Sequence, residues 1–208
     1  TYQDRYEEAL EETGDEELAK DEAFHDFIIP EEYRYQKALE QTENVDKFLN
    51  EVFSTLEAEN PDLDNTFRVN YMEEDGLDHD TLQQMLSHLD TKNISLERVK
   101  PDILGEAYMD LVRDFAEEEG KSGGQFFTPQ EIVETMAKVL NPSLDTGEIE
   151  VYDPTVGSGG MLVEMAEAYD RTGGNPRIEL ILEGQEINPC IPPIANMNLF
   201  LNDLNGEI

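Results

Sequence analysis

The sequence predicts an α/β fold, in which a Rossmann-like sheet with packed helices follows a mainly helical N-terminal domain. Before about residue 123, apolar residues recur only at the helical spacing of three and four positions, whereas helix and strand patterns alternate after it. A glycine-rich loop joins the first predicted strand to the next helix. We therefore predict a helical domain over residues 1–122 and the first part of an α/β domain over residues 123–208. Two predicted strands leave that sheet incomplete.

The clearest helix of the predicted N-terminal domain follows Pro101-Asp102. Gly120 is predicted to end it, and the adjacent glycines in "EGKSGGQ" (119–125) break the pattern, so we place the domain boundary there. The apolar residues of this helix recur every three or four positions and predict one buried face: Leu104, Ala107, Tyr108, Leu111, Val112 and Phe115.

The first element after the boundary is a helix in "TPQEIVETMAKVL". Thr128 is its predicted N-cap, Pro129 its first helical residue, and Glu131 completes a capping box. The side chains predicted to form its buried stripe are Ile132, Val133, Met136, Val139 and Leu140.

Two strands and two helices are predicted to follow. The strands lie in "EIEVYD" (148–153) and "IELILEGQEI" (178–187), and the second is apolar at its centre, as a buried parallel strand should be. Because Pro192-Pro193 restrict the backbone, we expect the last helix to begin a turn after them. The two helices carry apolar stripes at Met161, Leu162, Met165 and Tyr169, and at Ile194, Met197, Leu201 and Leu204.

Charge is the strongest global signal, because 49 acidic and 14 basic residues give a formal net charge of −35. A disordered acidic tail is one explanation, but the acids are spread through segments with regular apolar spacing. We favour the surface of a halophilic protein, where concentrated salt screens the mutual repulsion. The charge also argues against this chain gripping DNA phosphates alone, since that contact needs clustered Lys and Arg.

The composition bears on the cellular location of the protein and on whether it binds a metal ion. No apolar run is long enough to span a membrane and the first residues do not resemble a targeting sequence, so we predict a cytoplasmic protein. A single cysteine, Cys190, forms neither an internal disulfide nor a thiolate metal site. His25, His79 and His88 are scattered, and we predict no metal site.

The loop "DPTVGSGG" (153–160) is the predicted ligand-binding element. Gly157 and Gly159 permit close approach of a ligand to the backbone, and the next helix directs its partly positive N-terminus at an anion. No Lys follows the last glycine, which argues against a P-loop. Leu162 stands where a dinucleotide-binding fingerprint has glycine, which argues against that motif. S-adenosylmethionine suits the pattern best: Asp153 can bind its ammonium group, and Glu186, after the second strand, can accept both ribose hydroxyls. A tight turn without a ligand is the alternative.

Three linked motifs, "GGQFFTPQEIV", "VYDPTVGSGGMLVEMA" and "EGQEINP", resemble the modification subunit of type I restriction-modification systems. That family comprises adenine-N6 DNA methyltransferases that use S-adenosylmethionine, and "FIIPEEYR" and "LEAENPDL" resemble its helical N-terminal domain. The resemblance implies that Ser158, Gly159 and Gly160 contact the cofactor and that Asp153 and Gly157 shape the loop. It implies ribose binding by Glu186 and cofactor contacts by Gln125, Phe126, Phe127, Thr128, Pro129 and Gln130.

The same resemblance implies direct attack of adenine N6 on the methyl group, with a flipped base in double-stranded DNA and no metal. Its implied partners are a specificity subunit and a restriction subunit. The family's catalytic Asn/Asp-Pro-Pro-aromatic motif is absent, and we interpret Asn188-Pro189-Cys190-Ile191 as a chance likeness because it follows the second strand. We expect the chain to be an inactive fragment of a longer protein. A non-catalytic scaffold that binds a protein partner and DNA is the alternative, and a nicotinamide-dependent oxidoreductase is a more distant one.

Overall fold

A computed structural model describes residues 2–20, 24–25, 27–63, 66–67, 78–91, 101–118, 128–140 and 149–208. The chain divides into two compact units, Thr1–Val99 and Lys100–Ile208. The boundary predicted at residues 122–123 lies outside the described residues and stays a prediction. The helix that precedes it belongs to the second unit.

The first unit is helical in its described part, as predicted. Its α-helices are α1 (Tyr2–Thr13), α2 (Tyr35–Leu39), α3 (Val45–Glu59) and α4 (His79–Asp90), with short 3-10 helices at Leu18–Lys20, Glu31–Tyr33 and Pro61–Leu63. Helix α4 begins where the carboxylate of Asp78 accepts the Thr81 N–H at 2.8 Å. Helices α2, α3 and α4 share one apolar cluster, formed by Ala38, Val45, Leu49, Leu82 and Leu86.

A buried amide fixes the end of α3. Asn60 is 7% exposed, and its Nδ2 donates to the carbonyls of Leu56 and Ile28 at 2.7 and 2.9 Å. Its Oδ1 accepts the N–H of Ile28 at 2.6 Å. Because both ends of the amide are satisfied, Asn60 joins the segment just before the 3-10 helix Glu31–Tyr33 to the end of α3 without leaving its own buried polar atoms unpaired.

The second unit contains a parallel sheet with α-helices. Its elements are α5 (Pro101–Glu118), α6 (Gln130–Leu140), β1 (Ile149–Asp153), α7 (Gly160–Asp170), α8 (Pro176–Glu179), β2 (Leu180–Gly184), α9 (Pro192–Leu201) and β3 (Gly206–Glu207). The strand order is β1-β2-β3. All pairs are parallel, with Ile149 opposite Leu180 and Leu182 opposite Gly206. The predicted α/β class is therefore confirmed.

The core of this unit lies between the sheet and helices α7 and α9. Fully buried side chains of α7 include Leu162 and Tyr169, which pack with Leu182 of β2 and Leu199 of α9. Burying each such side chain contributes about 1.5–3 kcal/mol. A side chain at Gly174 would collide with the Tyr169 ring, because its Cβ would lie 2.2 Å from that ring. The turn after α7 therefore needs glycine to cover the tyrosine.

The structure corrects four details of the predicted elements. The last helix begins at Pro192 itself, because proline is tolerated in a first turn, where its missing N–H has no partner to lose. The second strand is shorter than predicted, since Pro176–Glu179 form a short helix before it. A third strand, β3, was not predicted. Helix α6 begins at Gln130, and Pro129 rather than Thr128 stands at the N-cap position, since its carbonyl accepts the Val133 N–H at 3.2 Å.

Three of the predicted apolar stripes are only partly buried. In α9, Ile194, Met197 and Leu201 are half-buried, and Leu204 lies beyond the helix. In α6, Val133 and Ala137 are buried, whereas the other predicted stripe residues, Ile132, Met136, Val139 and Leu140, are exposed. In α5, Val112 is buried and Leu111 is exposed. Helical spacing identifies an apolar face but not which part of that face a neighbour covers. Within the described residues, no helix is both long enough and apolar enough to cross a membrane.

Candidate functional site

A cavity of about 530 Å³ lies in the second unit, beside the carboxyl end of β1. In doubly wound sheets this end of the strands is where ligands bind. Apolar side chains of α5, α6 and α7 form part of its wall, among them Met109, Val133, Met136, Leu140 and Met165. Six of the residues predicted to bind the cofactor line the same cavity: Thr128, Gln130, Asp153, Gly157, Ser158 and Gly160.

The glycine loop forms one wall of the cavity. Gly157 and Gly159 adopt φ angles of 53° and 79°, in the left-handed region that favours glycine. The Asp153 carboxylate accepts the Thr155 N–H at 2.9 Å, and this contact closes the first turn of the loop. Asp153 therefore stabilises the loop whether or not a ligand is bound.

Backbone hydrogen bonds join this loop to the segment after β2. The Gln185 N–H donates to the Asp153 carbonyl at 2.8 Å, and the Val156 N–H donates to the Gln185 carbonyl at 3.0 Å. Gly184 lies beside the loop, where a Cβ would come within 2.8 Å of the Val156 side chain. The loops that end β1 and β2 are thus held together by their backbones.

The other side of the loop is anchored to α9. Asn198 is 1% exposed, and its Nδ2 donates to the Ser158 carbonyl at 2.9 Å. The Asn202 side chain in turn donates to the carbonyl and the Oδ1 of Asn198, at 2.8 and 3.1 Å. A buried amide with satisfied partners is costly to disturb, so this pair holds Ser158 in place.

The N-terminus of α7 meets the cavity. Gly160, Met161 and Leu162 begin the helix and line the cavity, and the first intrahelical bond runs from the Val163 N–H to the Gly159 carbonyl at 3.1 Å. Helix amides before that bond have no intrahelical acceptor and carry partial positive charge. The site can therefore bind a carboxylate through backbone donors.

The segment that begins α6 supplies another part of the wall, through Thr128 and Gln130. The Gln130 Nε2 donates to Glu164 Oε2 of α7 at 2.9 Å, so the side chain of Gln130 is already engaged within the protein. Pro129 does not belong to the cavity lining. Gln125, Phe126 and Phe127 lie outside the described residues, and their roles stay predictions.

Glu186 follows β2 and stands apart from the cavity lining. Its Oε1 accepts the Asn188 N–H at 2.8 Å. Asn188 is itself engaged, since its Oδ1 accepts the Cys190 N–H at 3.1 Å. In the stretch "NPCI" (188–191) after β2, the asparagine thus has a local structural role, because its side chain closes a turn. Gly159 also lies outside the lining; it shapes the loop through its φ angle.

Sequence reasoning did not single out Glu164, Met109 or Asn198. The signal for Glu164 was an acid within the apolar run "MLVEMA", with Arg171 seven residues later. Asn198 was hidden because an amide on an apolar helix is not distinguishable from a surface residue without its partner. Among the described residues, no group of three or more His, Cys, Asp and Glu side chains could hold a metal ion.

A second cavity, of about 410 Å³, lies beside the C-terminal part of α7 and contains none of the predicted site residues. Glu167, Asp170, Arg177 and Asp203 contribute to its lining, and Arg177 and Asp203 form an ion pair. Exposed pairs of this kind contribute little to stability.

Comparison with known proteins identifies the family to which the chain belongs. Residues 99–208, more than half of the chain, match the family described as N-6 DNA Methylase. The chain belongs to the N-6 DNA methylase family. Residues 1–89 match the family described as the HsdM N-terminal domain. The resemblance to type I modification subunits is therefore confirmed.

Two relatives of the chain are methylase subunits of type I restriction enzymes by name. The chain is 27% identical over 206 residues to the type I restriction enzyme MjaIX methylase subunit of Methanocaldococcus jannaschii, an alignment that covers 94% of this chain and 36% of the relative. It is 34% identical over 126 residues to the type I restriction enzyme MpnII methylase subunit of Mycoplasma pneumoniae, covering 60% of this chain and 22% of the relative. The chain thus spans about a third or less of these two relatives.

A solved structure confirms the fold of the chain. It superposes on the type I restriction-modification system methyltransferase subunit from Streptococcus thermophilus with a TM-score of 0.70 and 21% sequence identity. The match covers 97% of this chain and 44% of the other. The helical N-terminal unit and the α/β unit are therefore both features of a known fold.

Proposed function

We propose that this chain is the cofactor-binding part of a modification subunit that methylates adenine N6 in DNA with S-adenosylmethionine. The observation that carries the proposal is the cavity at the end of β1, where the glycine loop, the N-terminus of α7 and the start of α6 meet. Its volume lies within the range of about 300–1,000 Å³ typical of small-molecule sites. Membership of the N-6 DNA methylase family favours the same ligand.

The donor and acceptor groups of the site fit a zwitterionic cofactor. Asp153 lines the cavity and carries the negative charge that an ammonium group needs, and the amides that begin α7 are suited to a carboxylate. Methionine and leucine side chains offer an apolar wall for an adenosine. When bound, the cofactor supplies an electrophilic methyl group.

We propose that Glu186 binds the ribose hydroxyls. The Asn188 N–H holds one oxygen of its carboxylate, which fixes the direction of the side chain and leaves the second oxygen available. A carboxylate accepts two hydrogen bonds at each oxygen, so the Asn188 contact does not exhaust it. We assign Gln125, Phe126, Phe127, Thr128 and Pro129 to the segment that covers the cofactor's methionine portion.

The substrate and partners are inferred from the relatives. Both proteins described above are named methylase subunits of type I restriction enzymes. We infer that the modification subunit assembles with a specificity subunit and a restriction subunit and acts on double-stranded DNA. With a net charge of −35, the chain repels phosphates, so a partner would supply much of the DNA grip. These 208 residues contain no Asn/Asp-Pro-Pro-aromatic motif, and we propose that they bind the methyl donor without transferring the methyl group.

Calorimetric titration of S-adenosylmethionine into the chain tests the proposed function, in buffer with molar KCl. We compare the parent with Glu186→Ala and with Glu183→Ala, an exposed acid of β2, the strand that Glu186 follows, as the matched control. Because hydrogen bonds to a charged acceptor contribute about 1.5–3 kcal/mol, Glu186→Ala should weaken binding by about tenfold or more. Glu183→Ala should bind as the parent does. Equal binding by all three proteins would show that Glu186 is not the ribose acceptor.

A further inference from the structure

Glu164 is the one carboxylate that α7, all of whose residues the structure describes, buries. It is 3% exposed and lies on a helix whose buried residues are otherwise Leu162, Met165, Ala166 and Tyr169. A buried carboxylate is strongly unfavourable unless both oxygens have partners. Helix α7 therefore retains a charge where an apolar residue would pack more readily.

Both oxygens of Glu164 do have partners. Its Oε2 accepts from Gln130 Nε2 at 2.9 Å, and its Oε1 accepts from Arg171 Nη2 at 2.6 Å. The hydrogen bond with Glu164 is the largest cause that raises the pKa of the Arg171 guanidinium above its ordinary value. Arg171 also contacts Glu167 at 3.3 Å, but Glu167 is 54% exposed, so that pair is screened by water.

The bond to Gln130 connects two walls of the cavity. Gln130 is the first residue of α6 and follows Thr128 and Pro129, whereas Glu164 lies one turn into α7, whose first residues also line the cavity. Arg171 alone satisfies the charge of Glu164. The second bond, across 34 residues of sequence, fixes the start of α6 relative to the glycine loop.

We propose that Glu164 is a positioning residue that holds the start of α6, and with it Thr128, in the place where this segment faces the cofactor site. The inference rests on the proposed function insofar as it concerns the cofactor. It assigns the Gln130 amide to Glu164 rather than to the ligand. The contribution of Gln130 to binding is then indirect.

Amide hydrogen exchange of the chain tests the positioning without any ligand. The N–H groups of Ile132 and Val133 bond to the Pro129 carbonyl and report the first turn of α6. Loss of one hydrogen bond in Glu164→Ala should speed exchange of this turn by about fivefold. Glu164→Gln should exchange as the parent does, since an amide at this position can still pair with both Gln130 and Arg171. Glu167→Ala is the control on the same helix.

Gln130→Ala gives a second route to the same result. Gln130 is exposed, so its truncation removes no apolar contact from the core but does remove the donor to Glu164 Oε2. The first turn of α6 should then exchange as fast as in Glu164→Ala. Unchanged exchange of this turn in both Glu164→Ala and Gln130→Ala would overturn the proposal. Faster exchange spread evenly over α6 and α7 would also overturn it, because that result indicates a general loss of stability.

Titration with S-adenosylmethionine separates this inference from the proposed function. Glu164→Ala should bind about fivefold more weakly than the parent, with Glu164→Gln and Glu167→Ala unchanged. Parent-like binding by Glu164→Ala, together with faster exchange, would limit Glu164 to a structural role and contradict the proposal. Failure of the parent to bind would contradict the proposed function, and the exchange result would still decide whether Glu164 positions α6.

Discussion

Asp153 has two tasks at the level of the single residue. One oxygen of its carboxylate accepts the Thr155 N–H at 2.9 Å and closes the first turn of the glycine loop. The proposed function adds a second task, attraction of the cofactor's ammonium group. The two tasks depend on different properties, because the turn needs an acceptor and the ammonium group needs a charge.

Substitution at Asp153 separates these tasks. Asp153→Asn keeps the acceptor but removes the charge, so the free energy of unfolding should stay within about 0.5 kcal/mol of the parent while S-adenosylmethionine binds about tenfold more weakly. Asp153→Ala removes both and should also lose about 1 kcal/mol of stability. Chemical denaturation and calorimetric titration measure the two effects. Parent-like binding by Asp153→Asn would contradict the assignment of the ammonium group, and Glu150→Gln, on the same strand, is the control.

Residue identities were predicted better than residue partners. Gly157, Gly160, Asp153 and Gln130 were predicted as site residues from motifs, and all four line one cavity. The contact between Gln130 and Glu164 was not predicted, because periodicity within each helix carries no information about which residues of two helices meet. For the same reason, the hydrogen bond from Asn198 to Ser158, 40 residues away in the sequence, was not predicted.

At the level of elements, the approach of α5 to α9 depends on one small residue. Gly105 of α5 is buried, and a Cβ there would lie 2.9 Å from the side-chain amide of Asn202. That amide is held by two hydrogen bonds to Asn198, which in turn anchors the glycine loop. Tyr108 adds a contact between the same helices, since its hydroxyl donates to the Ile194 carbonyl at 3.2 Å, and burial raises its pKa to about 12.

Gly105→Ala should therefore destabilise the chain, although alanine is ordinarily the better helix former. Helix propensity favours alanine by about 0.5–1 kcal/mol, whereas displacing Asn202 costs two hydrogen bonds of about 1 kcal/mol each. In an Asn202→Ala background the obstacle is gone, and Gly105→Ala should be neutral or stabilising. Urea denaturation of the four proteins of this double-mutant cycle measures the difference. Equal effects in the two backgrounds would show that Asn202 does not set the spacing.

The boundaries of elements were the least predictable feature. The start at Pro192 and the start of α6 after Pro129 differ from the prediction by a turn and by one residue, because proline fits more than one position of a first turn. Strand β3 has only two residues, too few for alternation to be visible. The exposed residues of α6 show that a stripe of apolar residues does not reveal how far a neighbour covers it.

For the whole molecule, the net charge of −35 is the dominant property. The ion pairs of the described residues mostly join residues three or four positions apart on exposed surfaces, and such pairs contribute little. Most carboxylates therefore repel one another without compensation. The halophilic origin of this surface stays a hypothesis, and its physical consequence can be measured.

Salt should stabilise the chain. Raising KCl from about 0.1 M to about 1 M shortens the Debye length from about 10 Å to about 3 Å, so repulsion between surface carboxylates falls steeply. We expect the urea midpoint to rise with KCl and the helical circular dichroism to decrease on dialysis to low salt. Sucrose, which strengthens burial without screening charge, is the control. Full retention of helical signal at low salt would contradict the hypothesis.

The central claim is that the cavity beside β1 binds S-adenosylmethionine, and nuclear magnetic resonance of the ¹⁵N-labelled chain tests it most directly. On titration with S-adenosylmethionine in molar KCl, the largest amide shifts should fall in residues 153–160 and in the first turn of α6, the two segments that line the cavity. Smaller shifts are expected around Glu186. Shifts concentrated instead at Asp170, Arg177 and Asp203, in the second cavity, or no saturable shifts at all, would contradict the account.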